Sequence, residues 1–204
     1  QQQIFMNQNF PAIVNTNAET FTRKELNLPE DKFLICLVGN RLDIEVSPSF
    51  RQLMCSVLQL NSAIDFIVIG IAHELREYFE NTSYQNRIHY LGFCPDLLGV
   101  YRTLNLYLNP ERTGGGWSSA IALRAGLPVV TLPNCDVAYN VSETFTVTNE
   151  EQMIETILQY ASDNVFYKTK HQQALDFAAQ NGENKVIDFL SEMLSKVKEA
   201  LPND

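Results

Sequence analysis

The chain has 204 residues, 45% of them apolar, and a formal net charge of −9. That length holds one sizeable core, or one domain with extensions, and an acidic balance argues against a nonspecific nucleic-acid surface or a polybasic membrane patch. No apolar run reaches the roughly 18–20 residues that span a bilayer.

The N-terminus, Gln1 to Phe10, is Gln/Asn-rich and lacks both a charged segment and an apolar segment of the kind that leads a secreted protein. It also lacks an initiator Met, so the expectation is a piece of a longer protein. Residues 1–22 read as a linker or entry segment, with a stray strand at Ile13-Val14. The stretch Arg23 to Asp31 reads as a short helix or turn.

Phe33 to Val38 is a continuous apolar run, the pattern of a strand buried on both faces. Gly39-Asn40-Arg41-Leu42 ends it and places Arg41 beyond the strand's carboxyl end. Ser47-Pro48 is an N-cap followed by proline at the first helical position. Phe50, Leu53, Met54, Val57 and Leu60 then recur on one helical face.

Further along, Ile64 to Gly70 predicts a second strand, His73 to Glu80 a helix, Arg87 to Gly92 a third strand, and Pro95 to Leu104 a helix. Leu104 to Leu108 predicts the fourth strand, Leu127 to Leu132 the fifth, and Phe145 to Val147 a short sixth. Helical patterns follow at Glu150–Ser162, Asn164–Gln180 and Asn184–Leu201. The last carries Ile187, Leu190, Met193, Leu194 and Val197 on one stripe and is read as core-facing. Strands alternating with helices predict an α/β protein with a doubly wound parallel sheet and right-handed crossovers. The division expected is a sheet domain over 23–165 and C-terminal helices over 166–204 packing on it.

The chemistry concentrates between Leu104 and Val137. A strand stopped by Asn109-Pro110 leads to Gly114-Gly115-Gly116, then to a helix over Trp117–Ala125 closed by Gly126. Glycines opening a helix expose backbone N–H groups at the positive end of the helix dipole, where an anion can approach closely. A phosphate or diphosphate fits that chemistry, and Ser118 and Ser119 add hydroxyls. Three glycines alone also make a simple turn; the flanking strands and capped helix favour the phosphate cradle. Arg41 reads either as a phosphate ligand or as a salt-bridged surface residue. Asp136 reads either as a site residue or as a turn residue or helix cap.

Cys36, Cys55, Cys94 and Cys135 show no metal-binding spacing, and Cys36 and Cys55 sit among apolar residues as buried thiols. His73, His89 and His171 are scattered. A reducing cytoplasm, without disulfides or zinc, is the simplest reading. Arg112 and Tyr139 receive no role, and Trp117 reads as a packing anchor. No Gly-x-Gly-x-x-Gly follows the first strand, which argues against a nicotinamide dehydrogenase.

Tyr90-Leu91-Gly92-Phe93, Leu106 to Pro110, the glycine loop, and Ala125-Gly126-Leu127-Pro128-Val129-Val130 resemble the nucleotide-sugar-binding C-terminal domain of GT-B glycosyltransferases. Thr113 to Val137 is also similar to the donor region of O-linked N-acetylglucosamine transferases. The resemblance implies a Rossmann-like half of a GT-B fold and a nucleotide-diphosphate sugar as donor substrate, with no other cofactor and no metal. It further implies an N-terminal GT-B domain that binds a glycan, lipid or protein acceptor.

Carried over residue by residue, Gly114, Gly115 and Gly116 would hold the diphosphate, with Trp117 and Ser118 at the same helix start. Thr113 would edge the sugar site, Arg41 would neutralise the diphosphate, Phe93 would contact the base through its backbone, and Asp136 and Val137 would lie where the site closes. The chain departs from the family pattern at Thr113 and Ile121, where retaining members carry two glutamates, and at Val46, near which a lysine is expected. Glu111 stands as a displaced carboxylate. These departures admit an alternative: a non-catalytic GT-B-like partner or regulatory module.

Overall fold

A computed structural model describes residues 18–181 and 191–195. The elements run β1 (Phe33–Gly39), α1 (Leu42–Glu45), α2 (Pro48–Leu60), β2 (Ile64–Gly70), α3 (His73–Glu80), β3 (Ile88–Gly92), α4 (Leu97–Tyr101) and β4 (Leu106–Leu108). They continue with α5 (Gly116–Arg124), β5 (Val129–Val130), α6 (Asp136–Asn140), α7 (Glu150–Ser162) and α8 (Asn164–Gln180).

Local chemistry sets the helix ends. Ser47 Oγ accepts from the Phe50 amide with Pro48 at the first helical position of α2. Asn149 caps α7 through the Gln152 amide, and Asp163 caps α8 through the amides of Val165 and Phe166. Asp43, on α1, accepts from the amides of His73 and Leu75 and so caps α3 from outside. Gly126, at φ +74°, ends α5: its N–H reaches the Leu123 carbonyl while the Leu127 N–H reaches Ala122. That is the paired C-terminal hydrogen bonding a left-handed glycine permits.

The five strands form one parallel sheet in the order β3-β2-β1-β4-β5. β1 is central, and its side chains feed both faces alternately. Ile35 and Leu37 join Phe50, Met54 and Val57 of α2, Leu75 of α3, and Met153 and Ile157 of α7. Leu34, Cys36 and Val38 join Leu98 and Tyr101 of α4, Ile121 and Ala122 of α5, Val137 of α6 and Ala174 of α8. Two cores on two faces make the doubly wound arrangement. A helix-covered parallel sheet explains why β1 and β2 read as unbroken apolar runs.

Several expectations need correction. The helix over Pro95–Leu104 shortens to five residues, Leu97–Tyr101. Asp96 caps its start through the Gly99 amide, and Arg102–Asn105 turn the chain back so that Asn105 Oδ1 can accept from the Leu34 amide. The expected sixth strand over Phe145–Val147 is replaced by a 3₁₀ turn over Glu143–Phe145 and a single bridge between Thr131 and Thr146. α6 carried no periodic signal, being only five residues long. Cys55 is half-buried rather than buried, and Cys135 is buried. Residues 1–17, including Ile13-Val14, lie outside the described residues, as does most of the expected helix over 184–201; within 191–195, which is helical, Leu194 is exposed rather than core.

Leu37 is fully buried on the central strand. Leu37→Ala is expected to lower the unfolding free energy by about 2–5 kcal/mol, through lost transfer energy and a residual cavity, as read from a urea denaturation midpoint at unchanged slope.

Candidate functional site

Consecutive elements from β1 and β4 leave the sheet in opposite directions, so the strand order reverses between these two neighbours. The carboxyl ends of strands at such a point leave a crevice where open α/β sheets bind ligands. A cleft of about 430 Å³ lies there. Its walls come from Val38–Arg41 and Glu45 after β1, Ile69 and Gly70 at the end of β2, Phe93, Cys94 and Leu97 after β3, and Arg112–Gly115, Trp117 and Ser118 after β4.

Glycines let the backbones converge. Gly70 sits at φ +113°, and a Cβ there would lie 2.0 Å from the Gly39 carbonyl oxygen. Gly114 and Gly115 adopt φ +101° and +83°, conformations that L side chains rarely take. The loop is half-buried and borders the cleft. The first N–H groups of α5 lack intrahelical acceptors by geometry, so the expected cradle of amides opens at the tips of the sheet.

Beneath the loop lies Arg112, its side chain only 3% exposed. Nε donates to Asn109 Oδ1 at 2.9 Å, Nη1 to Glu45 Oε2 at 2.7 Å, and Nη2 to the Val38 carbonyl at 2.8 Å and to the Tyr107 hydroxyl at 3.0 Å. Burial works against the guanidinium charge, but the Tyr107 oxygen and the Glu45 carboxylate outweigh it and hold its pKa above the ordinary arginine value. The donor inventory orders the next bonds. Ser118 Oγ donates to the Gly115 carbonyl at 2.9 Å, so the Tyr107 hydroxyl, 2.9 Å from Ser118 Oγ, donates to it and accepts from Arg112. Burial pushes the Tyr107 phenol up, against the pull of Arg112, which keeps that O–H a donor.

The expected site residues divide into two groups. Arg41, Phe93, Thr113, Gly114, Gly115, Trp117 and Ser118 line the cleft. Gly116, Glu111 and Asp136 do not. Gly116 packs on α6, since a Cβ there would lie 2.2 Å from Asn140 Nδ2. Glu111 is exposed beside the loop. Asp136 begins α6, and its Oδ2 accepts from the Gly114 amide at 2.6 Å. Ser119 is buried and bonds the Gly116 carbonyl, so its hydroxyl is not offered to the cleft.

One reading is reversed, and one residue gains a part it had not been given. Trp117 is 58% exposed, a rim residue rather than a packing anchor, and Phe93 is exposed across the cleft from it. Arg112, without a role in the sequence, is the hub of the site. The available signal was a basic residue two positions before the glycines and three after the strand-ending Asn109. Of the departures from the family pattern, Ile121 is buried in one core and Val46 in the other, whereas Thr113 is exposed on the cleft. Among the described residues, no group of three or more His, Cys, Asp or Glu gathers as a metal site, and no helix is long and apolar enough to cross a membrane.

Comparison with known proteins completes the assignment. Residues 35–163 match the model of the family described as glycosyl transferases group 1. No curated protein matches the sequence. Among solved structures, HepE of Anabaena in complex with UDP and glucose superposes with a TM-score of 0.71 at 19% identity, over 85% of this chain and 51% of that one. A mutant O-GlcNAc transferase of Thermobaculum terrenum gives 0.67 at 18% identity, over 85% and 38%. WaaG, a glycosyltransferase involved in lipopolysaccharide biosynthesis, gives 0.66 at 17%, over 77% and 45%. The chain thus spans about half or less of the length of these structures, and at such identities they share its fold: a Rossmann-like sheet of the GT-B class. With the family model covering most of its sheet and both cores, the chain belongs to the group 1 glycosyl transferases.

Proposed function

We propose that this chain is the donor-binding domain of a glycosyltransferase that moves a sugar from a nucleotide-diphosphate sugar to a glycan, lipid or protein acceptor. One observation carries the reading. The open glycine loop at the start of α5 and the exposed guanidinium of Arg41 face one cleft at the carboxyl ends of β1 and β4. HepE, which shares the fold, has been crystallised with UDP and with UDP-glucose.

In this reading the amides at the start of α5 and Arg41 take the diphosphate, and Phe93 and Trp117 flank the base. As the sugar–oxygen bond breaks, negative charge collects on the departing nucleoside diphosphate. Preorganised amides and a guanidinium stabilise that charge without reorganising. The Gly114 amide is taken by Asp136, so Gly115 and the first residues of α5 supply the donors. The acceptor falls to a second, N-terminal GT-B domain outside this chain. The unpaired thiols fit a reducing, cytoplasmic setting.

A second reading, a non-catalytic partner module, is favoured by one feature. Ile121, where retaining relatives are expected to hold the ribose with a carboxylate, is an apolar side chain buried in the core. It cannot accept hydrogen bonds from sugar hydroxyls.

Calorimetric titration separates the two. The chain is expected to bind UDP or GDP, and Arg41→Ala to weaken that binding by about tenfold, the loss of one charge-assisted contact. Absence of any nucleoside-diphosphate binding would leave the partner reading. Gly115→Ala is expected to weaken the same binding, because its Cβ would lie 2.7 Å from Arg112 Nη2 and its φ is +83°. Native affinity in that variant would remove the loop from the site.

A further inference from the structure

The cleft is lined by three charged side chains among the described residues: Arg41, Glu45 and Arg112. Both guanidinium groups hold the same carboxylate. Glu45 Oε1 accepts from Arg41 Nη2 at 3.0 Å, and Oε2 accepts from Arg112 Nη1 at 2.7 Å. Two cations on one anion leave one surplus positive charge at the mouth of the cleft.

The two cations are not equivalent. The Arg41 side chain is 63% exposed, against 11% for its partner Glu45, so the arginine end of this ion pair stands in solvent, where screening and side-chain entropy weaken its hold. The Arg112 side chain is 3% exposed and is also tied to Asn109, Val38 and Tyr107. Its slot is cut to the guanidinium. A Cβ on Gly39 would lie 2.6 Å from Nη1, and one on Gly115 would lie 2.7 Å from Nη2. These glycines belong to the two backbone segments that border the cleft, one ending β1 and one preceding α5. Arg112 therefore stays, and Arg41 is the cation free to turn.

We propose that Arg112 is a positioning residue for a nucleoside diphosphate: by neutralising Glu45 from below, it releases Arg41 to the phosphates. The inference rests on the donor-site reading above. Without Arg112, Arg41 and Glu45 form a closed pair of net charge zero. Turning Arg41 toward an anion would then strand a carboxylate beside two phosphates, and like charges at that range repel. With Arg112 in place, the carboxylate remains paired when Arg41 leaves.

The charge logic makes a rescue experiment decisive. Native protein, Arg112→Gln, Glu45→Gln and the double variant are titrated with whichever of UDP and GDP the native chain binds, and with the matching nucleoside. Arg112→Gln is expected to weaken diphosphate binding by about tenfold while leaving nucleoside binding unchanged. Glu45→Gln is expected to tighten diphosphate binding. The double variant, which restores the surplus positive charge, is expected to return to within about threefold of native. A residue that merely packs would not be rescued by losing a second partner.

A double variant as weak as Arg112→Gln, native affinity in Arg112→Gln, or equal losses for nucleoside and diphosphate would each overturn the proposal. If Arg112→Gln does not fold, Glu45→Gln alone decides: tighter diphosphate binding supports the proposal and weaker binding overturns it. A native chain that binds neither UDP nor GDP overturns the donor-site reading itself, and the role of Arg112 falls with it.

Discussion

The site depends on a buried guanidinium joining two strand ends. Val38 and Arg112 are separated by 74 residues, yet the carbonyl near the end of β1 accepts a hydrogen bond from the side chain that follows β4. A buried cation is costly unless its donors are satisfied and its charge is paired. Arg112 pairs its charge with Glu45 and places four of its five N–H groups on Glu45, Asn109, Tyr107 and the Val38 carbonyl. The arrangement fixes the separation of the Gly39–Arg41 turn and the glycine loop, and those are two walls of the cleft.

The same constraint explains the glycines. Gly39 and Gly115 are required less for flexibility than because a side chain at either would strike Arg112. Gly114 and Gly115 also take backbone conformations that favour glycine. Gly116 has a different reason, contact with Asn140 of α6. Three consecutive glycines that look alike in sequence thus answer to separate demands. The loop is held on one side by Arg112 and on the other by Asp136, whose carboxylate accepts from the Gly114 amide. That carboxylate already satisfies one N–H of the loop, so the cradle is narrower than three bare glycines imply.

Electrostatics reconciles an acidic protein with the anion site proposed for it. The net charge of −9 belongs to the surface as a whole, whereas the cleft lining carries two arginines against one glutamate. A local surplus in a crevice governs a bound phosphate more than the distant sum does, because exposed charges beyond about 10 Å are screened at ordinary salt. Ile121 and Val46 are buried and apolar and add no charge there; the surplus is that of Arg41 and Arg112 over Glu45. Of the two arginines, one lies at the mouth of the cleft and the other below the glycine loop.

By itself the sequence determined the order and kind of most elements. The unbroken apolar runs of β1 and β2, the Ser47-Pro48 start of α2, and the Gly126 stop of α5 are local signals, set by burial on two faces and by backbone hydrogen bonding within a few residues. Most boundaries of α7 and α8 were legible for the same reason. The sequence also marked the glycine loop and Arg41. Tertiary structure alone decided the role of Arg112, the exposure of Trp117, the capture of the Gly114 amide by Asp136, and the reduction of Phe145–Val147 to a bridge. Each depends on partners 15 or more positions away, or on which face of a helix meets solvent once the sheet is assembled. A guanidinium becomes a hub only when folding removes its water and supplies acceptors from three separate segments, and no local pattern encodes that convergence.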